Sequence, residues 1–183
     1  MALKSTIFKA TVNIADMDRG YYAEHPLTLA RHPSETDERM MVRLLAFILF
    51  ANERLDFGRG LSSEDEPALW QKDYTGDIER WIEVGLPDER LVRKASGRAA
   101  EVVVFAYGGR TVDIWWGKEG AAISRLPNVT VIELVPEQTA ALTQLVQRSM
   151  QFQCTLQDGQ LWLTPHEGLA AVEIQPKFLC RPQ

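Results

Sequence analysis

Residues 64–98 read EDEPALWQKDYTGDIERWIEVGLPDERLVRKASGR, and the turn, strand and helix signals in this stretch organise the chain around it. Residues 67–72 and 77–85 are strand-like arms on either side of Asp73-Tyr74-Thr75-Gly76, a run of turn residues, so the stretch is expected to fold as a β-hairpin. The second arm hands over to a helix. Pro87 cannot continue a strand, Asp88 and Glu89 put negative charge on a first helical turn, and the helix is expected to end near Gly97.

Side chains alternate along a strand, so Asp77, Glu79, Trp81 and Glu83 share one face, while Ile78, Arg80, Ile82 and Val84 share the other. Glu83 sits in the apolar run 81–85, where an ionised carboxylate is costly unless a metal ion or a lysine pairs with it. Glu79 cannot share a small cation with it, because two same-face steps separate them by about 13 Å. The second acid must come from elsewhere. A four-residue turn at 73–76 puts Glu66 opposite Glu83, whereas a tighter turn at Thr75-Gly76 puts Ala68 there. Arg90, Arg93, Lys94 and Arg98 then gather positive charge on the following helix, and Lys94 can reach back toward Glu83. Two carboxylates, a lysine and flanking arginines are the set that a Mg²⁺-dependent phosphodiesterase needs. The acids hold the metal, metal and lysine offset charge on the phosphoryl oxygens, and a water attacks. The same residues also suit a solvated hairpin whose surface ion pairs contribute little.

The strings ATVNIADMDRGYY (10–22), LTLARHPSETDERMMVRLLAF (27–47), DEPALW (65–70), WIEVGLPDERLVRKA (81–95), DIWW (113–116) and QDGQLWL (157–163) resemble the YaeQ family of bacterial proteins, nearly end to end. The resemblance implies a variant of the PD-(D/E)XK nuclease fold, in which a helix precedes a β-hairpin that is followed by a second helix and another strand. It places Glu83 as the second acid of the motif, with Gly85 where the motif has lysine and Lys94 as the migrated lysine. Pro67 is followed by Ala68, which leaves Asp65 or Glu66 as the first acid, and Glu38 matches an extra acid on the preceding helix. Two functions follow as expectations. One is a Mg²⁺-dependent nuclease acting on DNA or RNA through Glu83, Glu66 or Asp65, Lys94 and Glu38, with Arg90, Arg93 and Arg98 on the nucleic acid. The other is a module that keeps the fold without catalysis and acts in nucleic-acid binding, regulation related to transcription, or protein interaction.

At 183 residues the chain is long enough for one substantial core, and no domain boundary is expected in it. A net charge of -5 argues against indiscriminate attraction of nucleic acid, so any such contact must be local. Cys154 and Cys180 lack metal-ligand spacing and read as buried thiols of a reducing, cytoplasmic compartment. No apolar run reaches a membrane span, and neither GxGxxG nor a P-loop is present, so membrane and nucleotide-cofactor readings are set aside. No nucleophile-elbow pattern occurs, and the three histidines offer no base for either cysteine.

Elsewhere, residues 5–14 and 21–31 are expected to form a long hairpin across a turn at 16–20. A helix capped by Ser34, with Asp37 at capping-box spacing, carries the apolar run 40–50, and Glu35 and Glu38 lie in its first turns, where the helix dipole favours acids. Strands are expected at 54–62, 100–108, 111–116 and 128–135, and a helix at 136–150. Asp158-Gly159 suits a type I′ turn between FQCTLQ and QLWLT, and 170–175 adds a strand. The fold class is thus α+β or α/β, a mixed nuclease-like sheet with flanking helices and an additional antiparallel sheet from the terminal strands.

Overall fold

The computed structural model describes residues 4–59, 65–166 and 170–182. In chain order its elements are β1 (Thr6–Asp16), β2 (Tyr21–Arg31), α1 (Asp37–Leu49), β3 (Leu55–Phe57), β4 (Leu69–Lys72), β5 (Ile78–Val84), α2 (Glu89–Arg98) and β6 (Ala99–Tyr107). There follow α3 (Arg110–Ser124), β7 (Val129–Leu134), α4 (Pro136–Thr143), β8 (Ser149–Gln157), β9 (Gln160–Pro165), β10 (Val172–Ile174) and β11 (Lys177–Cys180). The strands form two sheets, so the fold is α+β with mixed sheets. The chain divides into two compact units, Met1–Leu49 with Glu137–Pro176, and Phe50–Pro136 with Lys177–Gln183.

The first unit holds the sheet β10-β9-β8-β1-β2. Phe8, Ala10, Val12 and Ile14 are buried, as the alternation in β1 requires, and β1 pairs antiparallel with β2 from Thr6↔Arg31 to Asp16↔Tyr21. Asp158 and Gly159 have φ of 53° and 74°, the left-handed pair that a type I′ turn demands. The Asp18 carboxylate accepts the N–H groups of both residues, at 2.8 and 2.9 Å, and so pins one hairpin tip to the other. One expectation is corrected: the sheet is mixed, because β1 and β8 run parallel from Lys9↔Ser149 to Asp16↔Leu156. The long intervening chain supplies the crossover that parallel strands need.

Two helix boundaries in this unit also differ. Thr36, not Ser34, caps α1, since its Oγ1 accepts the Arg39 N–H at 3.1 Å while Ser34 Oγ bonds to His32 Nδ1 at 2.7 Å. Thr36→Ala is therefore expected to lower stability by about 1 kcal/mol in chemical denaturation, and Ser34→Ala by only a few tenths. The helix α4 stops at Thr143 instead of running to Met150, whose side chain is buried in β8. Residues 149–157 bury every second side chain, and pairing with β1 outweighs the helical spacing of Leu142 and Leu145.

The second unit holds the sheet β11-β7-β6-β5-β4-β3, in which β5, β6 and β7 are parallel and the outer pairs antiparallel. Parallel neighbours need crossovers, and α2 and α3 provide them. The expected strand at 111–116 is consequently a helix, α3. Gly108 and Gly109, with φ of 127° and 64°, end β6, and Val112, Trp115, Gly120 and Ile123 then form the buried stripe. A strand would send the adjacent tryptophans to opposite faces, whereas on a helix they lie about 100° apart. Trp115 donates to the Pro87 carbonyl at 2.7 Å, and Trp116 lies over Gly120, where a Cβ would meet its ring at 2.6 Å. The strand expected at 54–62 covers only Leu55–Phe57; its remainder from residue 60, like Glu64 and Glu167, lies outside the described residues.

Cys154 is buried and Cys180 half-buried, both as free thiols. Burial pushes the Cys154 thiol up to about 12, which leaves almost no thiolate near neutral pH. Among the described residues no helix is long and apolar enough to cross a membrane.

Candidate functional site

The hairpin expected at residues 67–85 is present, as β4 and β5, but its register decides which acids meet. The strands β4 and β5 pair through Leu69↔Ile82, Trp70↔Trp81 and Gln71↔Arg80, then shift so that Lys72 faces Ile78. Glu79 is the residue left over. The turn is closed by the Asp73 N–H on the Asp77 carbonyl at 2.9 Å, so it takes one residue more than the four expected, and the bulge at Glu79 adds a second. Extending the register one step past Leu69 puts Ala68 opposite Glu83, and the expected facing pair of Glu66 and Glu83 is not formed.

The bulge also takes Glu79 away from the acidic face. Its carboxylate accepts Gln71 Nε2 and Arg54 Nη1, both at 2.6 Å. The hydrogen bond from Gln71, reinforced by Arg54, holds Glu79 below the usual carboxylate range. Asp73 is likewise held low, first by the Thr75 hydroxyl and then by turn N–H groups. Both anions organise the hairpin tip. Because both carboxyl groups are lowered, their contribution is present above the ordinary carboxylate pKa and fades as pH falls through their folded values.

The expected site residues are distributed as follows. Glu66 accepts the Arg59 N–H at 2.9 Å and faces Arg59 Nε at 3.6 Å. Asp65 pairs with Lys94 at 3.2 Å, so the lysine expected to reach Glu83 binds the acid ahead of β4. Glu83 is half-buried, and its Oε1 accepts the Trp81 indole N–H at 2.8 Å. Arg98 donates to the Asp65 carbonyl at 3.3 Å, and its guanidinium lies 5.1 Å from the centre of the Trp81 ring. Arg93 pairs with Glu89 one helical turn earlier, and Arg90 is exposed. Glu38 belongs to the other unit.

Glu83, Trp81, Arg98, Asp65 and Lys94 thus form one chain of contacts where β5 meets α2, without Glu66. The N-cap of α2 is Asp88, whose carboxylate accepts the Leu91 N–H at 2.9 Å, and Val92 and Ala95 anchor the helix against Trp81 and Val102. This anchoring turns Arg90, Arg93, Lys94 and Arg98 outward. Among the described residues, no three or more His, Cys, Asp or Glu side chains are grouped to hold a metal ion. An alanine faces Glu83, whose carboxylate accepts an indole N–H, so Glu83 and Glu66 are not paired to share an ion.

Sequence reasoning missed the tryptophans of the hairpin. Trp70 and Trp81 are cross-strand partners with ring centres 6.0 Å apart, edge to face, and the Lys72 ammonium lies 3.8 Å from the centre of the Trp70 ring. The available signal was Trp70 and Lys72 two residues apart on one arm, facing Trp81 on the other.

A family model described as "YaeQ protein" matches residues 1–175. The "Uncharacterized protein YaeQ" of Escherichia coli (strain K12) is 50% identical over 174 residues, which cover 95% of this chain and 96% of that one. Its counterpart in Salmonella typhi is 51% identical over 164 residues, with 90% and 91% covered. The crystal structure of YaeQ protein from Xanthomonas axonopodis pv. citri superposes with a TM-score of 0.93 at 53% identity, covering 97% of this chain and 99% of that one. That of the Pseudomonas syringae YaeQ protein gives 0.90 at 39% identity, with 96% of each chain covered.

Proposed function

The chain belongs to the YaeQ family, and from that premise we propose that it is a variant PD-(D/E)XK-fold protein that binds the phosphate backbone of DNA or RNA where β5 meets α2, without cleaving it. The observation that carries this reading is the register of the β4–β5 hairpin. It leaves Ala68 opposite Glu83 and sends Glu66 to Arg59, so Glu66 and Glu83 are not paired, while the cations of α2 remain on the surface. Exposed Arg90, Arg93, Lys94 and Arg98 offer donors to phosphate oxygens, and Asp65 and Glu89 hold several of them in place until a ligand arrives.

With a net charge of -5, binding is confined to this strip and falls steeply with salt. Arg90→Glu with Arg98→Glu is expected to weaken oligonucleotide binding and to lower the slope of log affinity against log salt by about 1 for each phosphate contact removed. An unchanged slope would show that α2 is not the contact.

Metal-dependent hydrolysis is the second reading, favoured by one observation: Lys94 and Asp65 lie 3.2 Å apart beside the Trp81–Glu83 pair. Incubation with single- and double-stranded DNA and RNA in Mg²⁺ or Mn²⁺, with Glu83→Gln alongside, separates the two. Binding without cleavage supports the first reading. Cleavage that the wild type performs and Glu83→Gln does not would replace it with the second.

A further inference from the structure

We propose that Trp70 is a stacking platform for nucleobases, which makes single-stranded rather than duplex nucleic acid the ligand of this site; the proposal rests on the backbone-binding reading above. Aromatic rings and cations alternate across the hairpin and α2. Lys72 lies over Trp70, Trp70 meets Trp81 edge to face at 83°, and Arg98 lies over Trp81. Trp81 is core, only 3% exposed and tied to Glu83 by its indole N–H, so it acts as a fixed backstop. Trp70 is half-buried, and it is the outer ring of the pair.

A half-buried ring held against Trp81 and flanked by cations suits a sequence-tolerant single-strand site: each base offers a π-face to an indole, and the backbone runs along the positive groups. Lys72 sits where a base would stack, and as a flexible side chain it can yield the ring face and swing its ammonium onto an adjacent phosphate. Duplex bases are stacked on one another, so a duplex offers this ring its backbone and groove edges but no free base face within the helix. Arg98, over the Trp81 ring, and Lys94, which shares Asp65 with it, provide the next cationic positions.

The test titrates the full chain with oligo(dT) and oligo(rU) of about a dozen nucleotides, a length that spans a site of this kind, and with a duplex of equal length, following intrinsic tryptophan fluorescence and anisotropy of a label on the nucleic acid. The expected result is binding and indole quenching by the single strands, weaker binding of the duplex, and roughly tenfold weaker single-strand binding for Trp70→Ala. Trp70→Phe keeps an aromatic ring in the hairpin and serves if the alanine variant unfolds; the quenching is expected to fall sharply in it while binding persists. Equal binding of single strand and duplex, with quenching unchanged in Trp70→Phe, overturns the stacking proposal and leaves backbone binding standing. Failure of the wild type to bind either form overturns both.

Discussion

Glu35→Ala is expected to lower folding stability by about 3–5 kcal/mol, seen as a large shift of the urea midpoint. The Glu35 and Arg43 side chains are 2% and 3% exposed, and the carboxylate accepts Arg43 Nε at 2.8 Å and Nη2 at 2.6 Å in a bidentate pair. Arg39 reaches the same carboxylate from one turn of α1 away. Removing the acid leaves a guanidinium in a low-dielectric setting with its countercharge gone, and that penalty exceeds the value of the pair itself. Arg43 also donates to the Ala30 carbonyl at 3.1 Å, so the network ties α1 to β2. Glu35→Gln, which keeps an acceptor but not the charge, is expected to lose less. The double variant Glu35→Ala with Arg43→Met is expected to be less destabilised than the sum of the single changes, because the stranded charge has gone. A midpoint for Glu35→Ala within experimental error of the wild type would show that Arg43 is solvated after all.

Glu35 illustrates what a sequence conveys and what it withholds. Its place ahead of a helix suggests charge–dipole stabilisation, which is a local effect, whereas its burial depends on a partner eight residues on and on the strand against which α1 lies. The opening hairpin, the β6 strand, the helix α2 with its acidic first turn and the Asp158-Gly159 turn were all legible, because each rests on short-range periodicity or on backbone conformations that few residues adopt. Residues 111–116 read as a strand because Val112, Ile114 and two tryptophans carry strand propensity, yet they form the start of α3. Only the parallel pairing of β6 with β7, a long-range fact, requires a helix there. The site follows the same rule. Turn chemistry located the hairpin, but a turn one residue longer than the four expected and a bulge at Glu79 together shift the register by two residues, so that Ala68 rather than Glu66 lies across from Glu83. That bulge is favoured by the bonds Glu79 makes to Arg54 and Gln71, and Arg54 is 25 residues away in sequence. Local pattern could not anticipate it.

Trp81→Ala is expected to cost about 3–5 kcal/mol as well, and here the loss reaches the site. The ring is 3% exposed and packs in one cluster with Val92 and Ala95 of α2, Trp115 of α3 and Val102 and Val104 of β6. Truncation opens a large cavity beneath α2, so the helix that presents Arg90, Arg93, Lys94 and Arg98 loses its seat. Trp81→Phe separates packing from polarity. It keeps most of the apolar contact and removes the N–H that Glu83 accepts at 2.8 Å, a charge-assisted bond whose loss is expected to cost about 1.5–3 kcal/mol. Glu83→Ala removes the same bond from the other side, whereas Glu83→Gln leaves an oxygen to accept it. If Glu83 serves to orient the indole, single-strand affinity falls in Glu83→Ala and is restored in Glu83→Gln. A catalytic carboxylate behaves in the opposite manner, because the amide cannot take over its charge and the glutamine variant is as inactive as the alanine. The ordering of these two variants, measured in both stability and affinity, therefore assigns the role of Glu83.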